Sequence, residues 1–179
     1  MNKTHGDVEN LSHEKAIGKM QELVKHNSMC LFTTSLTKLP LETRPMSVQK
    51  VCDQGNFWFL SADNSNHNAE IEKDPRVQLF FTNENDAEFL TIYGTATISK
   101  DRTKINELWS SLVKAWFPEG KEDPHITVIK VTPEDGFYWD TKNGKAISLI
   151  KIATAAVTGK PMDGGIEGEL SVTHSDSVH

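Results

Sequence analysis

Residues Thr43–Phe81 read TRPMSVQKVCDQGNFWFLSADNSNHNAEIEKDPRVQLFF. Two β-like segments flank Asp53-Gln54-Gly55-Asn56, which has the composition of a hairpin turn. The first segment, about Glu42–Val51, alternates loosely, with Met46 and Val48 on one face. Pro45 inside it cannot donate to a ladder, so this point is a sheet edge or a bulge. Edges and bulges leave backbone groups free for a ligand. The second segment, Phe57–Ala62 (FWFLSA), is apolar on both faces. A short helix over Asn64–Lys73 follows, with Ala69 and Ile71 expected to face inward, and Asp74-Pro75 ends it. Val77–Thr82 (VQLFFT) is a further strand.

Working outward, the first ten residues are polar and predict a frayed end. Ser12 is a candidate N-cap for a helix over His13–His26, where Ala16, Ile17, Met20, Leu23 and Val24 recur at helical spacing. Met29–Leu36 (MCLFTTSL) reads as a strand. Glu88–Ser99 is a long strand, and Gly94 in its middle marks a bend or a close backbone approach. Asp101 caps a second helix carrying Ile105, Leu108, Trp109, Leu112 and Val113. Trp116–Asp123 is a loop with two exposed-looking aromatics. Ile126–Val131 and Gly136–Asp140 are strands separated by a turn at Thr132–Asp135. Lys142-Asn143-Gly144 is a turn, and Ala146–Ala156 fits strand or helix. The count is six or seven strands joined mostly by short turns. That predicts a mainly β fold, an antiparallel split β-barrel with peripheral helices. Residues 1–157 form a single domain on this reading, and 158–179 a flexible polar tail.

The 179 residues, 37% of them hydrophobic, suffice for one real core. A formal charge of −6 argues against a nucleic-acid surface, which needs a basic face. No apolar run reaches membrane-spanning length and no signal-peptide core is visible, so a cytoplasmic protein is expected. The two cysteines, Cys30 and Cys52, form no CxxC pair and are expected to be buried free thiols. The seven histidines show no metal-ligand spacing.

The chain has three arginines, Arg44, Arg76 and Arg102. Arg44 opens the first segment of the quoted stretch, Ser61 closes the second, and His67 enters the short helix. These three could converge on one anion. An arginine offers a planar donor fork suited to phosphate oxygens. A helix start adds free amides and a favourable dipole. A histidine donates when neutral and gains charge if phosphate raises its pKa. Taken singly, Arg44 also fits a surface ion pair, Ser61 a strand-end cap and His67 a solvated helix residue. No nucleophile–base pair, P-loop or GxGxxG is present.

The ordered set CLFTTS, TRPM, GNFWFLSA, a His six residues on, DPRVQLFF and FLTIYGTATIS resembles the pyridoxamine 5′-phosphate oxidase-like, FMN-binding split barrels. WFPEGKEDP and FYWD are similar to the general stress protein branch. The resemblance spans about Leu11 to Ile152. It implies a homodimer with flavin at the subunit interface, with FMN as cofactor and FAD or deazaflavin F420 as alternatives. It places Arg44 on the phosphate, Pro45 and Met46 along the flavin, Leu60 and Ser61 flanking it with the Ser61 hydroxyl on phosphate, and His67 as a basic phosphate ligand. Trp116 would reach the partner's flavin or pack in the dimer. The oxidases have a second basic residue about five positions after the arginine, where Gln49 stands here beside Lys50, which should point away. They also end in an arginine-containing segment, and no arginine follows Arg102. The resemblance therefore implies a stress-related flavin oxidoreductase of unknown small-molecule substrate, and no true pyridoxamine-phosphate oxidase. A non-enzymatic flavin sensor or store is the alternative.

Overall fold

The computed structural model describes residues 7–8, 11–12, 14–141 and 165–171. In chain order these form β1 (Asp7–Val8), β2 (Leu11–Ser12), α1 (Glu14–His26), β3 (Met29–Thr34), β4 (Glu42–Ser47), β5 (Lys50–Val51) and β6 (Phe57–Ala62). There follow α2 (Asn66–Lys73), β7 (Arg76–Asn83), β8 (Glu88–Ser99), α3 (Arg102–Leu108), a 3-10 turn at Val113–Ala115, β9 (Ile126–Thr141) and β10 (Gly165–Ser171). The strands β10-β9-β8-β7-β3-β4 pair antiparallel in that order, while β6 pairs β9 and β5 pairs β6. The result is a mainly β fold, a curled antiparallel half-barrel with helices at its periphery. β1 and β2 add to β10 as short parallel bridges.

The 16-residue β9 organises the sheet. One edge pairs β8 along almost its whole length. The other edge holds β6 through Ile126–Val131 and β10 through Gly136–Thr141. The partner changes where the β8–β9 register shifts at Tyr93/Gly94. Thr132–Asp135, expected from sequence as a turn, is thus a bulged bend inside one strand, because β8 continues to pair across it. Gly94 sits against this bend: a Cβ there would overlap the Thr132 carbonyl oxygen. The close approach anticipated from sequence is present, and only glycine permits it.

Alternation on β6 divides its side chains between two cores. Phe57 and Phe59 enter the barrel core with Phe32, Leu79, Ile92 and Tyr138. Phe32 and Phe59 meet edge to face at 5.2 Å between ring centres. Trp58 and Leu60 face a second cluster formed by Ile105, Leu108, Val113 and Phe117 under α3. α1 places Ala16, Met20, Leu23 and Val24 into the barrel core, as its periodicity predicts. The hairpin turn is also as expected: Gly55 takes φ 79°, and the Cys52 and Asn56 backbones hydrogen-bond across it.

Several local expectations are corrected. α3 stops at Leu108 and its helical pattern does not continue, so Leu112 is exposed. Of the two loop aromatics Trp116 is exposed, but Phe117 is buried in the second cluster. On α2 the inward residues are Asn68 and Ile71, and Ala69 is exposed. Within the stretch expected to be a flexible tail, Gly165–Ser171 is a strand on β9, which offers an open edge past its bend. Asp7–Val8, in the expected frayed end, pairs with that strand. Cys30 is buried, with its thiol pushed up to about 12 by burial, while Cys52 is only half-buried. The turn at Lys142-Asn143-Gly144 and the segment Ala146–Ala156 lie outside the described residues.

Gly94→Ala should force the β8–β9 bend apart. Urea unfolding followed by circular dichroism should show a loss of about 2–3 kcal/mol, the scale of backbone-displacing overpacking. An unchanged midpoint would mean that the bend relaxes freely.

Candidate functional site

The barrel is split because the chain changes sides within two residues. The Val48 N–H donates to the Ser28 carbonyl at 2.9 Å, and the Gln49 N–H donates to the Trp58 carbonyl at 2.8 Å. Upstream of this crossing, β4 carries ladder partners only on its β3 side. Beyond Trp58, β6 carries them only on its β9 side. The two edges therefore part, with Arg44 on one and Ser61 on the other, and α2 follows directly from β6.

On β4, Arg44 and Met46 share one face and Thr43 and Pro45 the other. Arg44 lies opposite Phe32 in register. Its Nη2 contacts Glu70 Oε2 of α2 at 2.7 Å, and its Nη1 donates to Thr34 Oγ1 at 2.9 Å. The Thr34 hydroxyl in turn donates to Glu70 Oε2 at 2.5 Å. The three groups close a triangle whose Arg44 and Glu70 side chains are 21% and 20% exposed. Burial raises the Glu70 pKa, but the hydrogen bonds from Thr34 and Arg44 outweigh it, so the carboxyl is held below its ordinary value.

The second half of the site is a hydroxyl–amide network around Ser61. Asn68 Nδ2 donates to Thr127 Oγ1 at 2.9 Å, and Thr127 donates to the Ser61 carbonyl at 3.2 Å. The Ser61 hydroxyl donates to Asn68 Oδ1 at 3.0 Å. That commits its one proton, so the His67 Nε2, 2.5 Å away, must be the donor toward Ser61. His67 is thereby assigned the Nε2–H tautomer. Ser65 Oγ lies 3.2 Å from the same nitrogen and accepts the Asn68 N–H as the N-cap of α2. Burial first, and then the nearby Arg44 charge, push the His67 pKa down to about 4 against an opposing pull from Glu70. The two halves of the site are therefore electrostatic neighbours.

Of the residues singled out from sequence, Arg44, Ser61 and His67 are brought together. Ser61 does not present its hydroxyl outward: the residue is 4% exposed and the group is used internally. Met46 packs against the barrel core, and Pro45 is exposed on the outer face. The Leu60 side chain points to the second cluster, because strand alternation opposes it to Ser61. Trp116 is 80% exposed on the loop after α3 and takes no part in this cluster. Lys50 points away as expected and pairs with Glu107 at 2.8 Å. Sequence reasoning missed Thr34, Ser65, Glu70, Asn68 and Thr127. Glu70 was findable, since it stands three residues after His67 on one helix face. Thr34 and Thr127 come from distant strands and left no local signal.

The model of the family described as pyridoxamine 5′-phosphate oxidase like matches residues 15–163. The chain belongs to this family. The chain is 23% identical over 158 residues to protein bli-3 of Neurospora crassa, covering 83% of this chain and 76% of that one. It is 27% identical over 81 residues to general stress protein 26 of Bacillus subtilis, covering 43% and 57%. Among solved structures, a putative general stress protein 26 from Jannaschia sp. matches with TM-score 0.74 and 25% identity, covering 86% of this chain and 96% of that one. The general stress FMN/FAD binding protein of Xanthomonas citri matches with TM-score 0.60 and 23% identity, covering 68% and 86%. Among the described residues of this pyridoxamine 5′-phosphate oxidase-like chain, no helix is long and apolar enough to cross a membrane, and no group of His, Cys, Asp and Glu could hold a metal.

His67 yields a pH signature for this family member. Its folded pKa of about 4 lies below its ordinary 6.5, so between these values the unfolded chain binds more protons. Stability contributed by the neutral ring is complete above pH 6.5 and is lost as pH falls toward 4. His67→Gln keeps a donor toward Ser61 and removes the titration. Its melting temperature should fall less between pH 7 and 5 than that of the wild type. Parallel profiles would assign the decline to another group.

Proposed function

We propose that this chain binds a flavin, FMN in the first place, with the phosphate held in the split between β4 and β6, beside the start of α2. The observation that carries the reading is the convergence of Arg44 and His67 at the mouth of the split. The donor set suits a phosphate. Arg44 has five N–H groups and commits two of them. The neutral His67 ring spends its one N–H on Ser61, and it donates from Nδ1 once a dianion beside it raises its pKa and protonates it. Ser65, at the exposed start of α2, adds a hydroxyl and the helix amides. Ser61 acts through His67, fixing its ring and tautomer. Pro45, Met46 and Leu60 contribute backbone at the two edges, and Trp116 is free to reach a partner's flavin. The likeness to the general stress FMN/FAD binding protein of Xanthomonas citri supports the same cofactor class, with FAD and F420 as alternatives.

A bound flavin would supply hydride and electron transfer at its ring. The protein's own contribution is to bind the phosphate, orient the ring and exclude water. We read the chain as a cytoplasmic, stress-related flavin oxidoreductase of unknown small-molecule substrate. Pyridoxamine-phosphate oxidase activity is disfavoured by the arginine-free sequence after Arg102 and by Lys50 turning to Glu107. A homodimer is supported by an apolar row on the outer sheet face, where Pro45, Leu31, Phe80, Thr91 and Phe137 lie opposite one another in register. Leu31, second in the row, is 49% exposed, and the Trp139 ring lies tilted against Phe137 at the far end, 4.5 Å between ring centres.

Two measurements test the reading. In calorimetric titration FMN should bind the wild type, and Arg44→Ala should weaken binding by about 1.5–3 kcal/mol, the worth of a charged hydrogen bond, while riboflavin is little affected. Equal FMN affinity in both proteins would remove Arg44 from the site. In light scattering the wild type should be a dimer, and Leu31→Glu should shift it to monomer. A monomeric wild type would refute the shared interface.

A further inference from the structure

We propose that Glu70 is the resident anion of the phosphate site: it occupies the Arg44 guanidinium in the free protein and gives it up when a phosphate-bearing ligand binds. The inference rests on the flavin reading for the identity of that ligand. It rests on the Arg44–Glu70–Thr34 triangle for everything else.

A site built only to attract phosphate would gather positive charge. This one is balanced. Arg44 carries one positive charge, Glu70 one negative charge 2.7 Å away, and His67 stays neutral at ordinary pH because its pKa is pushed to about 4. Thr34 ties the pair from the other side, accepting from Arg44 and donating to Glu70. The pair is half-shielded from water, so its charges are less screened than those of an open surface pair. A dianion arriving at Arg44 meets a cation already neutralised, with a carboxylate beside it.

Two consequences follow. A simple anion such as inorganic phosphate brings nothing but charge and displaces Glu70 only at high concentration. A flavin phosphate brings the contact area of its ring as well, and that additional binding energy drives the exchange. Glu70 thus keeps the cradle free of small cellular anions and makes occupancy depend on the whole ligand. It sets selectivity together with Arg44, the one attracting phosphate and the other rejecting phosphate that arrives alone. Once displaced, Glu70 remains a neighbouring negative charge, which favours release of the ligand.

The test is calorimetric titration of wild type and Glu70→Gln with inorganic phosphate, FMN and riboflavin, after melting curves have shown both proteins folded. Glu70→Gln keeps the length and the hydrogen-bond acceptor of the side chain and removes its charge. It should bind inorganic phosphate at least tenfold more tightly than the wild type and FMN about tenfold more tightly, with riboflavin unchanged. Equal or weaker phosphate binding by the variant would overturn the proposal. Tighter phosphate binding without FMN binding in either protein would sustain it while ending the flavin reading. A second readout needs no variant. By carboxyl nuclear magnetic resonance, the wild-type Glu70 titration should move upward in pH when FMN, or phosphate at saturating concentration, is bound, because the carboxylate has lost its cation. A Glu70 titration that is the same with ligand bound would show that Glu70 never releases Arg44.

Discussion

The contact of Gly94 with the Thr132 carbonyl is the constraint from which the rest of the barrel follows. β8 and β9 stay paired across a bend only because no Cβ stands between them at that point. The bend lets β9 present one half of its free edge to β6 and the other half to β10. With β6 fixed there, the short β5 pairing at Phe57–Trp58 is all that connects it toward β4. The sheet curls without closing, and the opening lies between the strands that carry Arg44 and Ser61.

The opening is lined by groups that satisfy one another. Ser61, Asn68 and Thr127 form a closed donor–acceptor chain that holds the His67 ring by Nε2. Arg44, Glu70 and Thr34 form a second closed set. Networks with every member satisfied are rigid, and removal of one member leaves buried polar groups unpaired. Such a site is ordered in the absence of ligand, and its charge is close to neutral. The negative overall charge of the chain adds no long-range attraction for an anion. On the proposed reading, recognition depends on local exchange at Arg44 and on the surface offered by the ring of the ligand.

Much of this was legible in the sequence. Alternating strands, turn chemistry at Asp53–Asn56 and the proline at an edge give the antiparallel barrel and its free β4 edge. Gly94, a glycine within a run of β-formers, pointed to a bend or a close approach, and the structure has both at Thr132–Asp135. The choice of Arg44, Ser61 and His67 held as a spatial cluster. What failed did so for physical reasons. Glu70 reads as an ordinary helix-surface acid until α2 is laid across Arg44. Ser61 reads as an exposed strand end until Asn68 and Thr127 are placed around it. Leu112 fits the helical period, yet α3 ends at Leu108, because tertiary packing in the second cluster overrides local propensity. The strand Gly165–Ser171 has too little apolar sequence to announce itself, and it exists through the edge that β9 leaves open.

The central claim is that the split of this barrel holds a flavin. It is tested most directly by purifying the protein from cells that make flavins and recording the visible spectrum and the mass of whatever denaturation releases. A yellow protein with the absorption of an oxidised flavin, releasing FMN in near one-to-one amount, is the result the account predicts. A colourless protein that also fails to take up FMN, FAD or F420 when they are added would contradict it.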